Sequence, residues 1–179
     1  MFMAHSEKLR ELMLYLAMKC ESDTHFGAVK LNKILFAIDV SAYLAWRHPI
    51  TEAEYIALEL GPVPRQLSTL RTEMVQQGDA AVRLHSFFGM MNAQERLIAL
   101  REPNLDLFTG PEIALIDTII EGMAPYNEQE LTEWSHRFIG WKAVDKGEAI
   151  PYESALISAE PPTPYDVQRT QQLIQKYDW

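Results

Sequence analysis

Apolar residues recur at helical spacing in several stretches of this chain and alternate in others. Leu9, Leu12, Met13 and Leu16 form one stripe behind Ser6, a residue type suited to capping a helix start. Asp23 to Gly27 breaks that helix. From about Ala28 to Arg47, apolar residues cover most of the helical circumference, the pattern of a helix buried in the middle of a domain. His48-Pro49 ends it, because proline pushes the residue before it out of helical geometry.

Glu54 to Leu60 reads as a strand and Gly61-Pro62-Val63-Pro64 as a turn. Pro62 or Pro64 then opens a third helix that runs to about Gln77, with Gly78 as its stop. Ala81–His85 and Glu95–Arg101 read as an antiparallel pair across a long loop, which leaves Phe87, Phe88, Met90 and Met91 exposed unless something covers them. Thr109 with Glu112, and Asn127 with Glu130, have the spacing of a capping box. The helices behind them carry Ile113, Ile116, Ile120 and Met123, then Leu131, Trp134 and Phe138. Thr163, Pro164 and Asp166 start a last helix, Tyr165 to Lys176, set off by Pro161-Pro162. The expected fold is α+β and mostly α. It is a single domain over 1–179, with about six helices, a small antiparallel sheet and a C-terminal helical extension over 161–179.

Turning the second helix by 100° per residue places Lys30, Lys33, Ala37 and Ser41 on one side. The two lysines read as the wet edge of the helix, or as an anion site if Arg65 comes close. Asn32 and Asp39 point the opposite way, into the apolar part of the wheel. A carboxylate on a buried face needs donors. Trp134, His136 and Trp141 are the attractive ones, each pairing an apolar body with an N–H. Asp39 is then either a structural buttress or the floor of a polar pocket.

Charge changes the picture. The net charge is -9, and Glu102, Asp106, Glu112, Asp117, Glu121, Glu128, Glu130 and Glu133 fall in one segment with no Lys or Arg. Removing those eight from the chain's 25 acids leaves 17 against 16 bases. Such a segment repels phosphates and steers a basic partner, unless it is simply the solvated face of two helices. No apolar run reaches the eighteen or so residues of a membrane span. The start lacks the profile of a secretory signal, and the single Cys20 fits a reducing cytoplasm, the expected location.

Catalytic and metal motifs are absent from the sequence. The histidines show no His-x-x-x-His spacing, one cysteine makes no zinc framework, and there is no Gly-x-Ser-x-Gly elbow or phosphate-binding glycine loop. Ser135 and His136 are adjacent on a helix and point about 100° apart, wrong for a relay within the pair. A His136–Asp39 contact across the fold is the remaining hydrolase-like arrangement. The third helix offers Arg65, Gln66, Ser68, Thr69, Arg71 and Gln76, which with the strand pair loosely suggests a winged helix reading DNA. The net charge and the lack of a basic stripe argue against nucleic acid as the main partner.

Several blocks together resemble one family. Lys30-Leu31-Asn32-Lys33-Ile34-Leu35-Phe36 runs to Asp39, and Tyr55 is followed by Gly61-Pro62-Val63-Pro64. Ser135-His136, Trp141 and Ile150-Pro151-Tyr152 lie downstream. Their order and spacing resemble the SocA-like antitoxin, or Panacea, domain of bacterial and phage toxin–antitoxin pairs. The chain departs from the family pattern at Leu35-Phe36-Ala37-Ile38-Asp39, where other members often carry aromatics just before the aspartate. Ser86–Ala93 and the tail beyond Glu160 match nothing in the pattern. The resemblance implies an antitoxin that binds its cognate toxin directly. It needs no cofactor, metal or membrane, with a protease as a second partner and operator DNA as a secondary one. The candidate partner surface is Lys30, Lys33, Asp39, Tyr55, Gly61, Pro62, Arg65 and Glu130. Asn32, Trp134, His136 and Trp141 are candidates for a polar core.

Overall fold

A computed structural model describes residues 2–85, 94–157 and 163–177. Along them run α1 (Phe2–Lys19), α2 (Ala28–Trp46), β1 (Tyr55–Leu58), β2 (Gly61–Pro64), α3 (Leu67–Gln77), β3 (Ala80–His85) and β4 (Gln94–Ala99). Then come α4 (Gly110–Met123), α5 (Glu128–Ser135), the short α6 (Ile139–Lys142) and α7 (Pro164–Tyr177), with 3-10 turns at Leu105–Leu107 and Tyr152–Leu156. The fold is mostly α, with two small antiparallel sheets. The loop expected to carry Phe87, Phe88, Met90 and Met91, and the Pro161-Pro162 pair, lie outside the described residues.

The helix α2 is the axis of the core. It packs against α1, α4, α5, β2, β4 and the 3-10 turn after Pro151. Leu31, Ile34, Leu35, Phe36 and Ile38 are buried on it, and the α1 stripe Leu9, Leu12, Met13 and Leu16 is wholly enclosed. Burial of each such side chain contributes about 1.5–3 kcal/mol. The first helix begins at Phe2, so Ser6 lies within it instead of capping it. Met3 and Ala4 are good helix formers and carry the first turn upstream.

Gly61–Pro64 is a strand, not a turn. It pairs with β1 in the register Tyr55↔Pro64 and Leu58↔Gly61, and the reversal falls at Glu59-Leu60. The other edge of β1 is closed by residues 147–150: Gly147 N donates to Ala57 O at 2.7 Å, Ala57 N to Glu148 O at 3.0 Å, and Ile150 N to Tyr55 O at 2.8 Å. Tyr55 and Ala57 thus direct their backbone groups to that segment, so their partners Pro64 and Pro62 direct theirs outward. Proline there loses no ladder bond and blocks further pairing. With those prolines in the strand, α3 starts only at Leu67, and Gly78, at φ +77°, ends it as expected.

Both capping boxes form. Glu112 N donates to Thr109 Oγ1 and Thr109 N to Glu112 Oε2; Glu130 N donates to Asn127 Oδ1 and Asn127 N to Glu130 Oε2. Two arginines tie the β3–β4 sheet to α1. Arg96 is buried and donates to the carbonyls of Cys20, Glu21 and Asp23 beyond the α1 C-terminus. Arg101 holds Glu11 through both terminal nitrogens, at 2.8 and 2.6 Å, and Asp79 through Nε at 2.7 Å.

Candidate functional site

Asp39 is fully buried and accepts four hydrogen bonds. Ile50 N donates at 2.9 Å and Thr51 N at 2.8 Å to Oδ1, while Thr51 Oγ1 donates at 2.5 Å and Tyr55 Oη at 2.8 Å to Oδ2. The local chain makes this reach. Arg47 caps α2 in the left-handed region at φ 65°, and Glu52 is also left-handed at φ 54°, so residues 48–52 double back along the helix. Burial pushes the Asp39 carboxyl above its ordinary pKa, and the bonds from Thr51, Tyr55 and Ile50 oppose that rise. Burial, then the charge of Asp39, lifts the Tyr55 phenol far above its usual range, so it stays a donor.

The donors differ from those expected. Trp141 Nε1 donates to Leu58 O at 3.0 Å, and His136 stacks on the Trp141 ring at 3.9 Å between centroids. Neither bonds to Asp39, so the His136–Asp39 dyad does not form. The buried Nε2 of His136 and Oδ1 of Asn32 have no hydrogen-bond partner among the described residues. Trp134 is 41% exposed and meets the core residue Phe36 edge-on, 6.4 Å between ring centroids. Thr51 and Tyr152 are the participants that sequence reasoning missed. Tyr152 Oη donates to Ala53 O at 2.6 Å, and its ring meets Tyr43 and Tyr55. A polar residue soon after the helix-ending proline was the only available signal for Thr51.

The lysine edge of α2 is not wet. Lys30 is buried and reaches Asp23 at 2.7 Å and the carbonyls of Ala124 and Tyr126 at 3.0 and 2.7 Å, closing the end of α4. Lys33 is buried with Leu60 O as its acceptor, and no carboxylate pairs with it among the described residues. Burial lowers its pKa to about 8. Gly61, at φ +108°, passes so close that a Cβ there would strike Lys33 Nζ and Ser135 Oγ. A helical lysine is solvated only if nothing covers it; here α4, α5 and β2 do. Tyr55, Gly61 and Pro62, expected on the partner surface, are likewise buried. Of the candidate partner residues, Arg65 and Glu130 remain exposed.

The acidic segment is partly neutralised from α1. Lys8 pairs with Glu112 at 2.7 Å, and Lys19 with Asp117 at 3.3 Å. Glu102, Asp106, Glu121, Glu130 and Glu133 stay exposed. On α3 and just before it, positive charge is spent locally: Arg65 pairs with Glu54, and Arg71 with Glu95 at 2.7 Å. Among the described residues no helix is long and apolar enough to cross a membrane, and no His, Cys, Asp and Glu side chains cluster as a metal site.

The blocks that carry the family resemblance thus meet in one place, around α2. Residues 31–142 match the family described as antitoxin SocA-like, Panacea domain, and the chain belongs to that family. No curated protein and no solved structure matches it.

Proposed function

We propose that this protein is an antitoxin that neutralises a cognate toxin by direct contact, converting no substrate. The family match over residues 31–142 carries this reading. Two structural features support it. Asp39 has its acceptors filled and no exposure, and His136 is engaged by Trp141, so the polar residues that resembled a reaction centre serve the scaffold. The exposed acids from Glu102 to Glu133 leave a surface suited to a basic partner, whose approach complementary charge accelerates. The encounter is placed in the cytoplasm. Delivery of the captured toxin to a protease is an extension of the same reading.

Co-expression tests it. The product of the adjacent open reading frame should arrest growth alone and be tolerated with this chain present, and the two should co-purify. Growth arrest that this chain leaves untouched would overturn the reading. A toxin half-life that shortens when the antitoxin is present would add the protease step.

A further inference from the structure

Between α2, α4 and α5 lies a groove of about 480 Å3. This is within the range of built sites, roughly 300–1,000 Å3. Small residues of α2, Ala37 and Ser41, line it and give it depth, while Ile119, Met123 and Leu131 make it apolar. Trp134 and Tyr126, 41% and 48% exposed, stand beside it with Arg137. Tryptophan, tyrosine and arginine are the residue types that dominate binding energy at interfaces. Glu130 and Glu133 line it as well. Glu130 takes Asn127 N and Glu133 takes Gln129 Nε2, and neither has an ion-pair partner among the described residues.

We infer that this groove is where the toxin docks, through a short segment that inserts a bulky apolar side chain beside a lysine or arginine. The inference rests on the antitoxin reading and names its contact. The apolar lining desolvates the anchor, and the two unpaired carboxylates select the flanking cation over an acidic or neutral segment.

Gly122 supplies the probe. It lines the groove, is exposed, and a Cβ there meets nothing within 4 Å, so Gly122→Trp adds an indole at the groove with no clash at its point of attachment. Glu133→Lys reverses one carboxylate, and Glu102→Lys makes the same charge change outside the groove lining. Affinity of the purified full chain for the purified product of the adjacent open reading frame is measured alongside each melting temperature. Gly122→Trp and Glu133→Lys should each weaken binding by about tenfold or more, with melting unchanged, and Glu102→Lys by much less. Wild-type affinity in both groove variants overturns the inference while leaving the antitoxin reading intact. A second arm needs no toxin. A synthetic amphipathic peptide with Phe and Leu on one face and Lys on the other should shift the Trp134 indole resonance, and its Glu-for-Lys counterpart should not. No shift with the basic peptide overturns the groove whatever the growth assay gives. Self-association that Gly122→Trp abolishes would assign the groove to a second copy and also overturn it.

Discussion

Replacing Lys33 with methionine should make the stability of this protein less dependent on pH above 8. The ammonium is enclosed, its acceptor is the neutral Leu60 carbonyl, and it titrates at about 8 against 10.5 for a solvated lysine. Between those values the unfolded chain holds the proton and the folded chain does not. Stability therefore rises with pH across that window. At about 1.4 kcal/mol per pH unit, the gap from 10.5 to about 8 corresponds to roughly 3 kcal/mol. The whole penalty is present below pH 8 and is gone above 10.5. Methionine keeps an unbranched apolar stem and removes the charge. It also deprives Leu60 O of its donor, at a cost of about 1 kcal/mol, so Lys33→Met should be about 1–2 kcal/mol more stable than the wild type at pH 7. Urea unfolding of both proteins at pH 7, 8, 9 and 10 tests this, because groups common to both cancel in the difference. The wild type should close on the variant from pH 8 upward and then overtake it. A difference that stays constant from pH 8 to 10 would show that water or a counter-charge reaches the amine, and would refute the burial argument.

Tyr55→Phe removes one donor from Asp39 and should lower stability by about 1–2 kcal/mol in denaturant titration. Because burial favours the neutral form of Asp39, its contribution is fullest below the unfolded pKa and is lost as pH rises through the lifted folded value. Asp39→Asn should therefore be milder than Asp39→Ala, which strands four donors. Gly61→Ala meets both a positive φ and the Lys33 and Ser135 side chains, and should lower the thermal midpoint by the equivalent of more than about 2 kcal/mol. Burial raises the Glu11 carboxyl, but the bonds from Arg101 and Asn104 N outweigh it and hold its pKa low. That stability is present above the unfolded pKa and lost as pH falls through the folded one, so Glu11→Gln should cost about 1–2 kcal/mol at pH 7 and less at pH 3. Equal losses at both pH values would count against the ion pair.

What the sequence made legible was local. The capping boxes at Thr109 and Asn127, the stop at Gly78 and the α1 stripe depend on residues a turn apart, and each formed as read. Wheel geometry also placed Lys30, Lys33, Ala37 and Ser41 on one side of α2 correctly, but it could not say what covers that side. The answer lies in Ala124, Tyr126 and Leu60, from 27 to 96 residues away, whose carbonyls need donors. A buried carboxylate at Asp39 requires donors, and the tryptophans and histidine at hand in the sequence do not supply them. Three of its four bonds come from a loop folded back by two left-handed residues, Arg47 and Glu52, neither of a type that advertises that conformation, and the fourth from Tyr55 on β1. Trp134 shares helical spacing with Leu131, yet only Leu131 is buried, because α5 turns its tryptophan toward the groove.

The residues by which the family is recognised are therefore mostly interior ones, and this separates two kinds of defect. Asp39, Tyr55 and Gly61 hold α2 to the strands around it, so damage there reduces the amount of folded protein without altering the surface it presents. Gly122 and Glu133 are exposed and do no such work. Neutralisation by Tyr55→Phe should recover when the growth assay is run at lower temperature, because loss of one hydrogen bond leaves most molecules folded there. Neutralisation by Gly122→Trp should not recover on cooling, because its protein is already folded and its docking site is blocked. If cooling rescues both alike, the groove variant acts through stability, and the division between a buried recognition core and an exposed docking face is wrong.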